Sequence, residues 1–77
     1  MPTVYLQGAW KITMYYRDHE PPHFHIMTRD HREAQVRIDN LSVIVGDVPS
    51  RIVHEVVDWA AENRHVLRAK WRDLHPA

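Results

Sequence analysis

Seventy-seven residues without a cysteine make one small domain and leave no disulfide or thiolate metal site to reinforce it. Ten basic side chains balance ten acidic ones, so the chain lacks the basic excess of a dedicated nucleic-acid binder. No apolar run approaches the roughly 18 residues needed to span a bilayer. Met1-Pro2-Thr3 opens nothing like a signal peptide, and the cysteine-free composition suits a reducing cytoplasm, the expected setting.

Pro2 to Gly8 reads as a short lead-in, extended at Val4-Tyr5-Leu6, with Gly8 supplying a turn or bulge. Ala9 to Arg17 alternates with a period of two. Trp10, Ile12, Met14 and Tyr16 take one side, and Lys11, Thr13, Tyr15 and Arg17 the other, the pattern of a half-buried strand. Asp18 to Pro22 is a stiff connection, because two prolines donate no ladder hydrogen bond and bias their predecessors towards extended geometry. A cis bond at Pro21 or Pro22 is one option there.

His23 to Thr28 forms a second strand, with Phe24 and Ile26 inward and His23, His25 and Met27 outward. Arg29-Asp30-His31-Arg32 is a hairpin turn. Glu33 to Ile38 is a third strand that turns Ala34, Val36 and Ile38 inward. Asp39-Asn40 is a turn signal, and Leu41 to Val45 a short fourth strand closed by Gly46-Asp47.

The period then lengthens. Val53, Val56, Val57, Ala60, Leu67, Trp71 and Leu74 recur at helical spacing. Pro49 suits the first turn, and Asp47 stands where a carboxylate meets free N–H groups. Acids cluster early and bases late, as the helix dipole prefers, and Pro76 stops the helix.

The expected fold class is therefore α+β: a small antiparallel sheet of about four strands, one face covered by a C-terminal helix, in a single domain over residues 1–77. The other face would be bare and would carry Lys11, Thr13, Tyr15, Arg17, His23, His25, Glu33, Gln35 and Arg37. A helix from Pro49 to Asp73 would run roughly 37 Å against about 23 Å for a seven-residue strand. It must overhang the sheet or break near Glu62-Asn63-Arg64. If it overhangs, Leu67, Trp71 and Leu74 form a partner-binding tail.

The chemistry concentrates in Asp18-His19-Glu20-Pro21-Pro22-His23-Phe24-His25. Residues two apart on a strand project from one face, so His23 and His25 form a candidate ligand pair. The set His19, His23 and His25 would hold a divalent metal such as zinc, with Asp18 and Glu33 as other sources of a third ligand. In a metal-free alternative, His23 and His25 are catalytic base and acid, Arg17 or Arg37 holds an anion and Tyr15 donates a hydrogen bond, a set suited to phosphodiester cleavage. In the structural alternative, one imidazole braces the Pro-Pro turn, the other is solvated, and Asp18 caps the turn. Arg64, Arg68 and Arg72 form a basic stripe at i, i+4 spacing, either a solvated face or a grip for phosphates.

Tyr15-Tyr16-Arg17-Asp18-His19-Glu20-Pro21-Pro22-His23-Phe24-His25 closely resembles the signature of a bacterial family, domain-of-unknown-function family 4160. The resemblance continues through Glu33-Ala34, the Gly46-Asp47-Val48-Pro49 helix entry, and Trp59, Leu67 and Trp71. Glu20 departs from it, standing where Asn is common. The resemblance implies a small protein encoded beside another small protein, in an arrangement like a toxin–antitoxin pair, and it carries no assigned activity. The expected function is thus a cytoplasmic member of such a pair, acting through a protein partner (a second copy or the neighbouring small protein) with the histidine-bearing face as its working surface. The rivals are a ribonuclease-like enzyme using His23 and His25, and a non-catalytic interaction or DNA-binding module.

Overall fold

The computed structural model describes residues 3–76. Five strands, β1 (Thr3–Gln7), β2 (Trp10–Thr13), β3 (His23–Thr28), β4 (Glu33–Arg37) and β5 (Val43–Gly46), precede two helices, α1 (Ser50–Glu62) and α2 (Arg64–Leu74). The strands form one antiparallel meander in chain order. The α+β class expected from periodicity is correct, with one strand more than anticipated.

The additional strand is β1, the extended lead-in. Its alternation is weak because it is an edge strand with little to bury, Leu6 being 71% exposed. Residues Gly8 and Ala9 turn it onto β2. Tyr5 anchors it by stacking on Trp59 of α1, with ring centroids 4.4 Å apart.

Cross-strand register sets the two faces of the sheet. Ile12 pairs with Ile26, Ile26 with Ala34, and Phe24 with Val36. These side chains, with Trp10, Met14 and Ile38, form the buried face. Ile52, Val56 and Ala60 of α1 and Leu67 and Trp71 of α2 close over it at four-residue spacing. Trp10 also donates its indole N–H to Glu55 at 3.2 Å, pinning β2 to α1.

Three sequence expectations change. The strand expected over Ala9–Arg17 is β2 and ends at Thr13, so the two-residue period no longer governs Tyr16, which is 64% exposed rather than inward. Asp47 does not cap the helix. Its N–H donates to the Glu33 carbonyl, prolonging the β4–β5 pairing, while Pro49 stands at the helix entry without a side-chain cap.

The long helix breaks. Asn63 leaves helical geometry (φ −126°, ψ 23°), its side chain donates to the Trp59 carbonyl at 2.8 Å, and its own carbonyl accepts from Val66 and Leu67. One residue thus ends α1 and starts α2, and each piece, about 20 Å or less, is matched to the sheet. Leu67 and Trp71 are buried in this chain's own core, and Leu74 packs against it half-buried. The overhanging tail that would have made Leu67, Trp71 and Leu74 a partner-binding surface is therefore absent.

At the end of β5, opposite Ala34, Gly46 has φ +141°, and a Cβ there would stand 2.3 Å from Ala34 Cα. Only glycine lets the two strands approach this closely.

Candidate functional site

The outer face of the sheet carries Thr13, His25 and Gln35 in one cross-strand row and His23 opposite Arg37 in the next. This end is not bare. The Tyr15–Pro22 connection folds back over it, leaving Thr13, His23 and His25 only 1%, 7% and 6% exposed. The expectation of two solvent-facing imidazoles is overturned, because alternation specifies the side of a sheet and not what lies on top of it.

Asp18 makes the connection fold back. Its N–H donates to the Tyr15 carbonyl at 3.1 Å, and its carboxylate accepts the Tyr15 N–H at 3.4 Å, closing a tight turn. The same carboxylate oxygen, Oδ2, lies 3.0 Å from His25 Nε2 and 3.5 Å from His23 Nε2. Ligand atoms offered by Asp18, His23 and His25 all lie within 4.8 Å of one another.

The other ring nitrogens are also engaged. His23 Nδ1 is 2.8 Å from the Pro21 carbonyl, which only accepts, so this nitrogen carries a proton. His25 Nδ1 is 2.7 Å from Glu33 Oε2, a carboxylate on the neighbouring strand. The Glu20–Pro21 peptide bond is cis. The Tyr15 ring meets the His25 ring edge-on at 4.7 Å, and Trp71 of α2, itself stacked on His75, lies 5.5 Å from His23.

The fold thus brings together Tyr15, His23 and His25 of the sequence-derived set. It does not bring in Arg17 or His19. Arg17 is exposed, its guanidinium 5.5 Å from the Tyr16 ring. His19 is exposed on the connection, and the third candidate ligand is its neighbour Asp18. Glu33, a named alternative, sits one shell out, bonded to His25 rather than converging with the three.

The chemical consequence is a concentration of acceptors. In its neutral tautomer with the proton on Nδ1, His23 would point a lone pair at Asp18, and a neutral His25 would have one proton to share between two carboxylates. Positive charge among the two Nε2 atoms and Asp18, as protons on the rings or as a bound cation, resolves both conflicts.

Other charged features lie elsewhere. A groove of about 560 Å³ at the Trp10/Thr28 end of the sheet is lined by Leu6, Lys11, Met27, Arg29 and His31 among others, so these basic groups stand apart from the imidazoles. Asp30 is held below the usual carboxylate range by the Thr28 hydroxyl, and Asp39 by the Arg37 guanidinium, both at exposed turns. No helix among the described residues is long and apolar enough to cross a membrane.

No curated protein and no solved structure matches the chain. One family model does, that of "Domain of unknown function (DUF4160)", over residues 9–72. The match begins just before β2, includes the whole Asp18–His23–His25 cluster and Glu33, and ends within α2. The chain is a member of the DUF4160 family.

Proposed function

We propose that this protein is one member of a two-protein pair of the toxin–antitoxin type, working in the cytoplasm and engaging a neighbouring small protein by strand addition along β5. One observation carries the partner-binding part. β5 is the terminal strand of the meander, all four of its residues are exposed, and Val43, Ile44 and Val45 are 48%, 46% and 57% accessible. Edge strands are ordinarily protected by charge, proline or a covering element, and this one carries no charge and no proline. An extended segment of a partner would complete it through main-chain hydrogen bonds and alternate side-chain pockets.

The test is co-expression with the protein encoded next to it. The two chains are expected to co-purify, and expressing one alone is expected to arrest growth that the pair restores. Ile44→Lys should abolish the complex while leaving the thermal melt of the isolated chain nearly unchanged. A complex that survives Ile44→Lys would remove the strand-addition reading.

The convergence of Asp18, His23 and His25 favours a second reading, in which the cluster is an active centre of a ribonuclease-like enzyme with a divalent metal such as zinc as cofactor. RNA cleavage lost in Asp18→Asn would support it. Equal cleavage by wild type and Asp18→Asn would discard it.

A further inference from the structure

We infer that His23 Nε2, His25 Nε2 and one carboxylate oxygen of Asp18 form a binding site for a single divalent late first-row transition ion, with Pro21 and Glu33 as its supporting shell. The site belongs to the same cluster as the active-centre reading, but it is read by metal binding alone and stands or falls without any activity.

Four observations converge. The donor set is two imidazoles and one carboxylate, a combination that suits zinc, nickel, cobalt or iron and disfavours magnesium and calcium, which seek oxygen. Two of the three spacings match: ligand atoms of a tetrahedral ion at about 2.0–2.1 Å stand roughly 3.3 Å apart, the Asp18 Oδ2 separations from the two Nε2 atoms are 3.5 and 3.0 Å, and all three ligand atoms lie within 4.8 Å of one another.

The supporting shell is the third observation. A ligating histidine characteristically donates its other N–H to a backbone carbonyl or a carboxylate, which fixes the ring and its tautomer. His23 meets the carbonyl of Pro21 at 2.8 Å, and His25 meets the carboxylate of Glu33 at 2.7 Å. With the ring proton on Nδ1 in both histidines, Nε2 of each would be the lone pair left for an ion beside Asp18.

Charge is the fourth. With both rings neutral, Asp18 and Glu33 contribute two negative charges, and one divalent ion balances them. Three protein ligands leave at least one coordination position for water or another ligand. Asp18 is the ligand on the side open to solvent, its side chain 18% accessible against 9% and 8% for the two histidines.

The full-length chain, stripped with chelator, is titrated with Zn²⁺ by calorimetry, and the dialysed protein is assayed for bound metal. One zinc per chain is expected, with Mg²⁺ and Ca²⁺ failing to compete. Co²⁺ is expected to give visible d–d absorption and to quench tryptophan fluorescence through Trp71, 5.5 Å from His23. Asp18→Asn should weaken zinc binding by at least about 100-fold, and Glu33→Gln, one shell out, by about 10–100-fold. His19→Ala and His31→Ala should leave it unchanged.

Circular dichroism confirms that each variant is folded. Should Asp18→Asn fail to fold, Glu33→Gln, at a largely exposed position, decides the question. Failure of the wild-type chain to bind zinc, full affinity in Glu33→Gln or in a folded Asp18→Asn, or loss of binding in His19→Ala would each overturn the assignment.

Discussion

His25 Nε2 lies 3.0 Å from Asp18 Oδ2, joining the middle of β3 to the connection that precedes it. The same carboxylate accepts the Tyr15 N–H, so Asp18 both closes the turn and holds it against the sheet. Asp18→Ala frees both groups at once. We expect a loss of about 1–3 kcal/mol, the penalty for leaving buried polar groups without partners, measured by urea unfolding in the presence of chelator. A change under a few tenths of a kcal/mol would mean that the connection is held by its prolines instead.

Gly46 faces Ala34 more closely than any side chain allows and has φ +141°. Gly46→Ala should therefore cost more than about 1 kcal/mol. It should also loosen β5 selectively, seen as faster hydrogen exchange at the Asp47 amide, which bonds to the Glu33 carbonyl, with β2 and β3 amides little affected.

Leu67 is fully buried at the start of α2. Leu67→Ala should lower stability by about 2–5 kcal/mol, as for other large-to-small core changes, and the loss should not vary with protein concentration. A concentration-dependent loss would show that α2 is completed by another chain after all.

Asp30 and Asp39 titrate below their ordinary value of 3.8, the first chiefly through the Thr28 hydroxyl and the second chiefly through Arg37. Because the folded chain binds these protons less tightly than the unfolded chain, the stabilisation is present above about pH 4 and disappears as pH falls through the folded values. Both groups are exposed, so the effect is small and screened by salt. Asp39→Asn should lower the urea midpoint slightly at pH 7, and the gap from wild type should close below about pH 4.

Much of the fold is legible in the residues themselves. Alternation in β3 and β4 assigned Phe24, Ile26, Ala34 and Val36 to the core, and each is buried. The change to a helical period marked where sheet gives way to helix, and the length mismatch offered a break near Glu62-Asn63-Arg64 as one of two options, which falls at Asn63. The Pro-Pro-His-Phe-His segment identified where the candidate chemistry gathers. These features are local: side-chain period and backbone stiffness act over a few residues and leave a direct trace in the sequence.

Tertiary structure decided what covers the histidines and which neighbour joins them. Asp18 and His19 are adjacent, with His19 expected from the sequence in the ligand set and Asp18 as an alternative, yet the hydrogen bond from Tyr15 N–H aims the Asp18 carboxylate over the sheet while His19 remains exposed. Glu33 enters through strand pairing that brings residues eight apart within 2.7 Å. Leu67 and Trp71 belong to the core because α2 turns at Asn63 onto its own sheet. Such outcomes depend on how a turn and a helix are placed by contacts distant along the chain, and local periodicity carries no record of those contacts.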